Sequence, residues 1–166
     1  MRILVVGPGL DVQGGVSHVI RLMLEYPPPD AHMELVPTLT QQHAVSHLSR
    51  TSPAYWQGAW RNWQFFVRAL SEIERHAREA DLAHIHVSVA GSTLRKMLVT
   101  KRLARRKAPF LLHNHGADYH LFYDRLPQPL KQQVIQMFLS ARGTIVLSEW
   151  WSNFHRQLLR LSHYPL

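Results

Sequence analysis

With 166 residues the chain has the length of one domain, and 46% hydrophobic against 18% charged residues supply enough apolar material for a core. It contains no Cys, which excludes disulfides and thiolate metal sites, and no apolar run long enough to span a bilayer or serve as a secretory signal. Lys and Arg number 19 against 11 Asp and Glu, a net charge of +8 that favours anionic partners in a protein expected to be cytoplasmic.

Residues 3–6 are apolar on both faces and are stopped by Gly7-Pro8-Gly9, which predicts a buried strand. A helix follows over 15–26, with Val16, Val19, Ile20, Met23 and Leu24 at helical spacing, and Pro27-Pro28-Pro29 ends it. Residues 33–36 read as a second strand, and 38–54, rich in Thr, Gln, Ser and His, as a loop. Trp56, Trp60, Trp63, Val67 and Leu70 then repeat at 4-3-4-3 spacing on a helix running to about residue 79. That stripe is expected to face the core; a membrane interface is the alternative, because indole is apolar with one polar N–H.

A third strand over 82–86, a helix over 91–106 and a fourth strand over 110–113 come next. A helix over 128–141 leads to a fifth strand over 144–147, and Ser148 is placed to cap a last helix whose dipole Glu149 suits. Strands alternating with helices predict an α/β fold with a doubly wound parallel sheet and no internal domain boundary. Such sheets bind ligands outside the carboxyl ends of their strands, which here carry GPGLDVQGG, HVSVAGS and HNHGAD.

The first loop does not complete the dinucleotide fingerprint G-x-G-x-x-G, since Val12 stands at its third glycine, and no Gly-Lys-Ser/Thr makes it a Walker loop. What it offers is Gly14-Gly15 at a helix N-terminus, where unpaired N–H groups and the helix dipole favour an anion; glycines that only make a turn are the plain alternative. His84 and His86, like His113 and His115, lie two apart on a strand, so each pair shares a face. Four imidazoles on two strands can bind zinc, but lone polar side chains at strand mouths are common ligand contacts in this fold, and no metal site is expected. His84 and His113 lie deeper and are expected to find backbone partners; His86 and His115 lie at the strand mouths. No acidic residue falls between Asp81 and Asp118, whereas Arg95, Lys96, Lys101, Arg102, Arg105, Arg106 and Lys107 do. A positive face is therefore expected, suited to an anionic membrane surface or left solvated, and without the aromatic interleaving of a nucleic-acid binder.

Taken in order, GPGLDVQGGVSHVIRLM, DLAHIHVSVAGSTLRK, APFLLHNHGADYHLFYDRLPQPLK and GTIVLSEWW resemble the N-terminal, acceptor-side domain of glycosyltransferase family 4, retaining enzymes of GT-B architecture. The resemblance covers nearly the whole chain and is weakest over 38–80. It implies a Rossmann-like domain that forms one side of an active-site cleft, with a nucleotide-sugar donor as substrate and no cofactor. It places Gly14 and Gly15 beside the donor diphosphate and His115 beside the donor sugar near the anomeric carbon, as the catalytic-centre residue. His86, Ser88, Gly91, Ser92, Asp118 and Tyr119 would line the side that binds a glycan or lipid-linked acceptor. The family holds its nucleotide mainly in a C-terminal domain marked by two glutamates, and that domain is absent from residues 1–166. The implied activity is sugar transfer at the cytoplasmic membrane face, with this chain alone inactive and its donor-binding domain in the same or another polypeptide. A non-catalytic binding or regulatory module on the same sheet, or a His-rich metal protein, are the readings outside the family.

Overall fold

The first strand, β1 (Arg2–Gly7), is buried from Ile3 onward because both of its faces are covered. Ile3 and Val5 pack with Ile20 of helix α1 (Gly15–Glu25), together with the partly buried Val16 and Leu24. Helix α2 (Pro53–His76) packs on β1 and on β2 (His32–Pro37), burying Phe66, Ala69, Leu70 and Ile73. Each fully buried Ile, Leu or Phe stabilises the fold by about 1.5–3 kcal/mol, which is why the continuous apolar strand is stable only between two layers.

A computed structural model describes residues 1–43, 49 and 51–160. The further elements are β3 (Leu82–Val87), α3 (Gly91–Arg105), β4 (Phe110–Asn114), α4 (Tyr119–Asp124), α5 (Gln128–Leu139), β5 (Gly143–Ile145) and α6 (Glu149–Arg160). The strands form one parallel five-stranded sheet in the order β2-β1-β3-β4-β5, flanked by helices, so the fold is α/β, doubly wound and Rossmann-like. By backbone contacts the chain divides into two compact units, Met1–Ala83 and His84–Leu166.

In the first unit β1 and β2 pair from Arg2 opposite His32 to Gly7 opposite Pro37. The Arg2 N–H donates to Asp81 Oδ2 at 2.7 Å and its guanidinium to Glu79 at 2.9 Å, which fixes the chain just ahead of β3. The loop expected over 38–54 has a 3-10 turn at Gln41–His43 among its described residues and gives way to α2 at Pro53; 44–48 and 50 lie outside the described residues. Ser52 caps α2 by accepting from the Tyr55 N–H at 3.2 Å, and Pro53 occupies the first turn, where its missing N–H costs nothing.

The tryptophan stripe corrects the expectation of a core face. Trp56, Trp60 and Trp63 are 65%, 60% and 47% exposed, and Val67 is exposed with them. At about 100° per residue these four fall within an arc of roughly 60°, while Phe66, Ala69 and Ile73 centre roughly 120° away around the helix. Helix α2 thus has two apolar stripes, of which only the second is covered by β1 and β2.

In the second unit β4 pairs with β5 from Leu111 opposite Gly143 to His113 opposite Ile145. Helices α3 and α5 pack together, as do α5 and α6. Val99, Leu103, Leu112, Val134 and Phe138 are buried there. Ser148 Oγ accepts from the Trp151 N–H at 3.4 Å, and Glu149 opens α6 as the sequence predicts.

Candidate functional site

Two groups of residues stand where the sequence draws attention, one in each unit. In the first, β1 ends at Gly7 and the chain makes a wide excursion before α1. Gly9 N donates to Leu39 O at 2.7 Å, Asp11 Oδ2 accepts from Gln41 N at 2.9 Å and Arg21 donates to Leu10 O at 3.0 Å, so the excursion is tied down from three sides. Gly14 is the N-cap of α1 with φ 147°, in the region that favours glycine. A Cβ added at Gly14 or Gly15 would meet nothing within 4 Å. Both glycines are exposed, the first turn of α1 has no acidic residue, and Gly14, Ser17, His18 and Arg21 line a cleft of about 480 Å³ whose loop side carries Asp11. The unpaired amides of that turn, the helix dipole and Arg21 favour an anion at the helix end of the cleft, while the Asp11 carboxylate, which accepts from Gln41 N, opposes it at the loop end.

The second group is built on β3 and β4. Side chains two apart on a strand share a face, so His84 and His86 align, as do His113 and His115, and the four rings form one cluster. The ring centroids of His113 and His115 are 3.9 Å apart and those of His84 and His86 are 4.7 Å apart. Across the strands His84 Nε2 lies 3.2 Å from His113 Nδ1, and His86 Nδ1 lies 2.9 Å from His115 Nε2. The expected backbone partners of His84 and His113 are thus imidazoles. The expected depths are also corrected: His86 is 1% exposed, more buried than His84, whereas His113 and His115 are half-buried.

Burial is the main force on the charge of these rings, and each other's proximity adds to it. It lowers His84 to about 4 and His115 to about 4, with His113 adding in each case, and it lowers His113 as well. His86 is lowered to about 2 by burial and then by the other three rings and Lys96. The cluster is therefore neutral at physiological pH, able to accept a hydrogen bond at one nitrogen of each ring and donate at the other. Lys96 departs from the expected positive face: it is 1% exposed, and burial with Arg95 alongside holds it well below its ordinary value.

The remaining predicted residues lie on the loops and first turns that follow β3 and β4. Ser92 Oγ accepts from Ser88 N at 3.1 Å, and Thr93 Oγ1 donates to Ser88 O at 2.6 Å, so the loop leaving β3 is pinned to the first turn of α3. Between them Ala90 has φ 52° and ψ −120°, a strained conformation for a residue with a side chain, and Gly91 is exposed. After β4, His115 N donates to Val87 O at 2.8 Å, and a Cβ on Gly116 would come within 3.1 Å of Val89 and Tyr119. Gly116 is therefore what lets the two loops pack closely. Asp118 is exposed and precedes α4 without capping it through its side chain. Tyr119 differs from its expected place on an open surface: it is wholly buried, its ring 5.7 Å from Phe122 and 6.0 Å from Phe138.

Sequence reasoning missed Asn114 and His155. Asn114 points to the opposite face of β4 from the two histidines; its Oδ1 accepts from Gly116 N at 3.0 Å and its Nδ2 donates to His155 Nε2 at 2.9 Å. Buried His155 is lowered to about 4 by burial, which keeps it neutral and able to accept. The two residues anchor α6 beneath the turn that carries His115.

The described residues can offer a metal one group of ligands: His84, His86 and His113 place one nitrogen each within 4.8 Å of one another. No helix among them is long and apolar enough to cross a membrane. Comparison with protein families and with curated proteins gives no match.

Proposed function

We propose that this chain is the acceptor-side half of a retaining glycosyltransferase of family 4. It would move a sugar from a nucleotide-sugar donor to a glycan or lipid-linked acceptor, with a further donor-binding domain completing the enzyme. The observation that carries this reading is the exposed Gly14-Gly15 pair at the start of α1, whose first turn has no acidic side chain and whose cleft sets Arg21 against the single carboxylate of Asp11, so that the helix N-terminus can receive a diphosphate. His115 supports it: a neutral imidazole at the carboxyl end of β4 can hydrogen-bond sugar hydroxyls and face a developing oxocarbenium ion without adding repulsive charge. His86 then acts behind His115 as a positioning residue, and Ser88, Gly91, Ser92 and Asp118 offer polar groups to the acceptor. The exposed Trp56, Trp60 and Trp63 favour a second element of the reading, contact with an anionic membrane surface where a lipid-linked acceptor resides.

Titration of isotopically labelled protein with inorganic pyrophosphate tests the first part. The amide signals of residues 14–17 are expected to move and saturate, and those movements are expected to disappear in Gly15→Val; unmoved signals overturn the diphosphate role. In the enzyme joined to its donor-binding domain, His115→Ala is expected to lower sugar transfer by about 10²–10³-fold.

A further inference from the structure

We propose that His84, His86 and His113 bind a divalent transition-metal ion of the zinc class, with His115 as the outer hydrogen-bond partner of His86. This inference is independent of sugar transfer. All three ligand atoms are imidazole nitrogens and lie within 4.8 Å of one another. His84 Nε2 and His113 Nδ1 are 3.2 Å apart. Two nitrogens at the usual zinc distance of about 2.0–2.1 Å and a tetrahedral angle would stand about 3.3 Å apart, so this pair is already at ligand spacing.

The second observation concerns His86. Its Nδ1 is engaged by His115, while its Nε2 is buried without a hydrogen-bond partner in a side chain only 1% exposed. Metal-bound histidines characteristically engage their second nitrogen with an outer partner, which fixes the tautomer and aims the other lone pair at the ion. The His86–His115 bond has that form, and a metal would give Nε2 the partner it otherwise lacks. The hydrogen shared between His84 and His113 would move to the other nitrogen of the ring that carries it, leaving both imidazoles neutral and both lone pairs free.

The chemistry of the donors restricts the ion. An all-nitrogen set without carboxylate or carbonyl oxygen disfavours calcium and magnesium and suits zinc, cobalt, nickel or copper. Three protein ligands would leave a fourth position for water or an anion, and the hydrogen-bonded neighbours β3 and β4 hold the ligands at fixed separation.

The test uses the 166-residue chain without a polyhistidine tag, freed of metal with chelator and titrated with Co²⁺ and then Zn²⁺. One Co²⁺ per chain with the intense visible absorption of tetrahedral nitrogen coordination, displaced by Zn²⁺, is the expected result. His84→Ala, His86→Ala and His113→Ala are expected to lower affinity by more than roughly 100-fold, and His115→Ala by about 10–100-fold. Exposed His32 provides the control, and His32→Ala is expected to leave binding unchanged. Absence of stoichiometric binding by the unaltered chain, or only the weak spectrum of octahedral cobalt, overturns the proposal whether or not the variants fold. So does binding that survives His86→Ala undiminished, or that is lost in His32→Ala.

Discussion

His86 Nδ1 and His115 Nε2 lie 2.9 Å apart, joining the most buried imidazole of the cluster to the one that follows β4. One ring must donate and the other accept. A buried N–H without a partner is rarer than a buried lone pair without one, and His86 Nε2 has no partner, so His86 carries its proton on Nδ1. Nitrogen-15 correlation spectra of the imidazoles are expected to show the Nδ1–H tautomer for His86 at pH 7. The Nε2–H tautomer there would remove the basis for treating His115 as the acceptor of this bond.

Acid is expected to destabilise the protein through its buried histidines. His84, His115 and His155 are lowered to about 4 and His86 further, against about 6.5 in an unfolded chain. Above pH 6.5 these rings are neutral in both states and their full contribution is present. Between pH 6.5 and about 4 the unfolded chain takes up protons that the folded one refuses, so stability falls as pH falls. The slope is up to about 1.4 kcal/mol per pH unit for each fully buried ring, and less for half-exposed His115. Urea midpoints at pH 7.5 and 5 would measure this; a midpoint unchanged or higher at pH 5 would contradict it.

The two glycines of the first loop are expected to respond differently to alanine. Gly15 lies in the first turn of α1 with open space at its Cβ position, so Gly15→Ala is expected to be neutral or stabilising by up to about 1 kcal/mol. Gly14, at φ 147°, is expected to lose about 1–2 kcal/mol on the same change. Denaturant melts separate the two. A pyrophosphate affinity that falls in Gly15→Ala while stability holds would identify close approach, not folding, as the role of that position.

On α2 the two apolar stripes make opposite predictions. Trp60→Ala, at 60% exposure, is expected to change stability by no more than about 0.5 kcal/mol. Phe66→Ala, fully buried three residues beyond Trp63, is expected to cost about 3–5 kcal/mol. Sedimentation with anionic vesicles is expected to weaken in Trp56→Ala/Trp60→Ala and with added salt. Equal sedimentation with neutral vesicles would leave the basic residues without a part in it.

The course of the fold was readable because its signals are local. An apolar run ended by Gly-Pro-Gly, or a helix ended by three prolines, needs no distant partner to be interpreted, and these elements lie within a residue or two of their expected limits. The errors share one cause, which is that periodicity says a face is apolar without saying what covers it. Trp56 and Phe66 look equally core-like in sequence, and only the placement of β1 and β2 separates them. Lys96 sits in a basic run that reads as a positive, solvated face, yet the helix turns it inward. The histidines were found from their two-residue spacing, but their pairing across β3 and β4 depends on strand register, which spacing on one strand does not encode. Short α4 was not anticipated, its six residues being too few to establish a helical period.

The Met1 ammonium donates to the backbone carbonyl of Asp30 at 2.7 Å, and Asp30 holds a left-handed φ of 61° two residues before β2. Any fusion at this end would replace a charged donor with an ordinary amide and add bulk beside that turn. An extension ahead of Met1 is therefore expected to disturb the entrance to the first two strands.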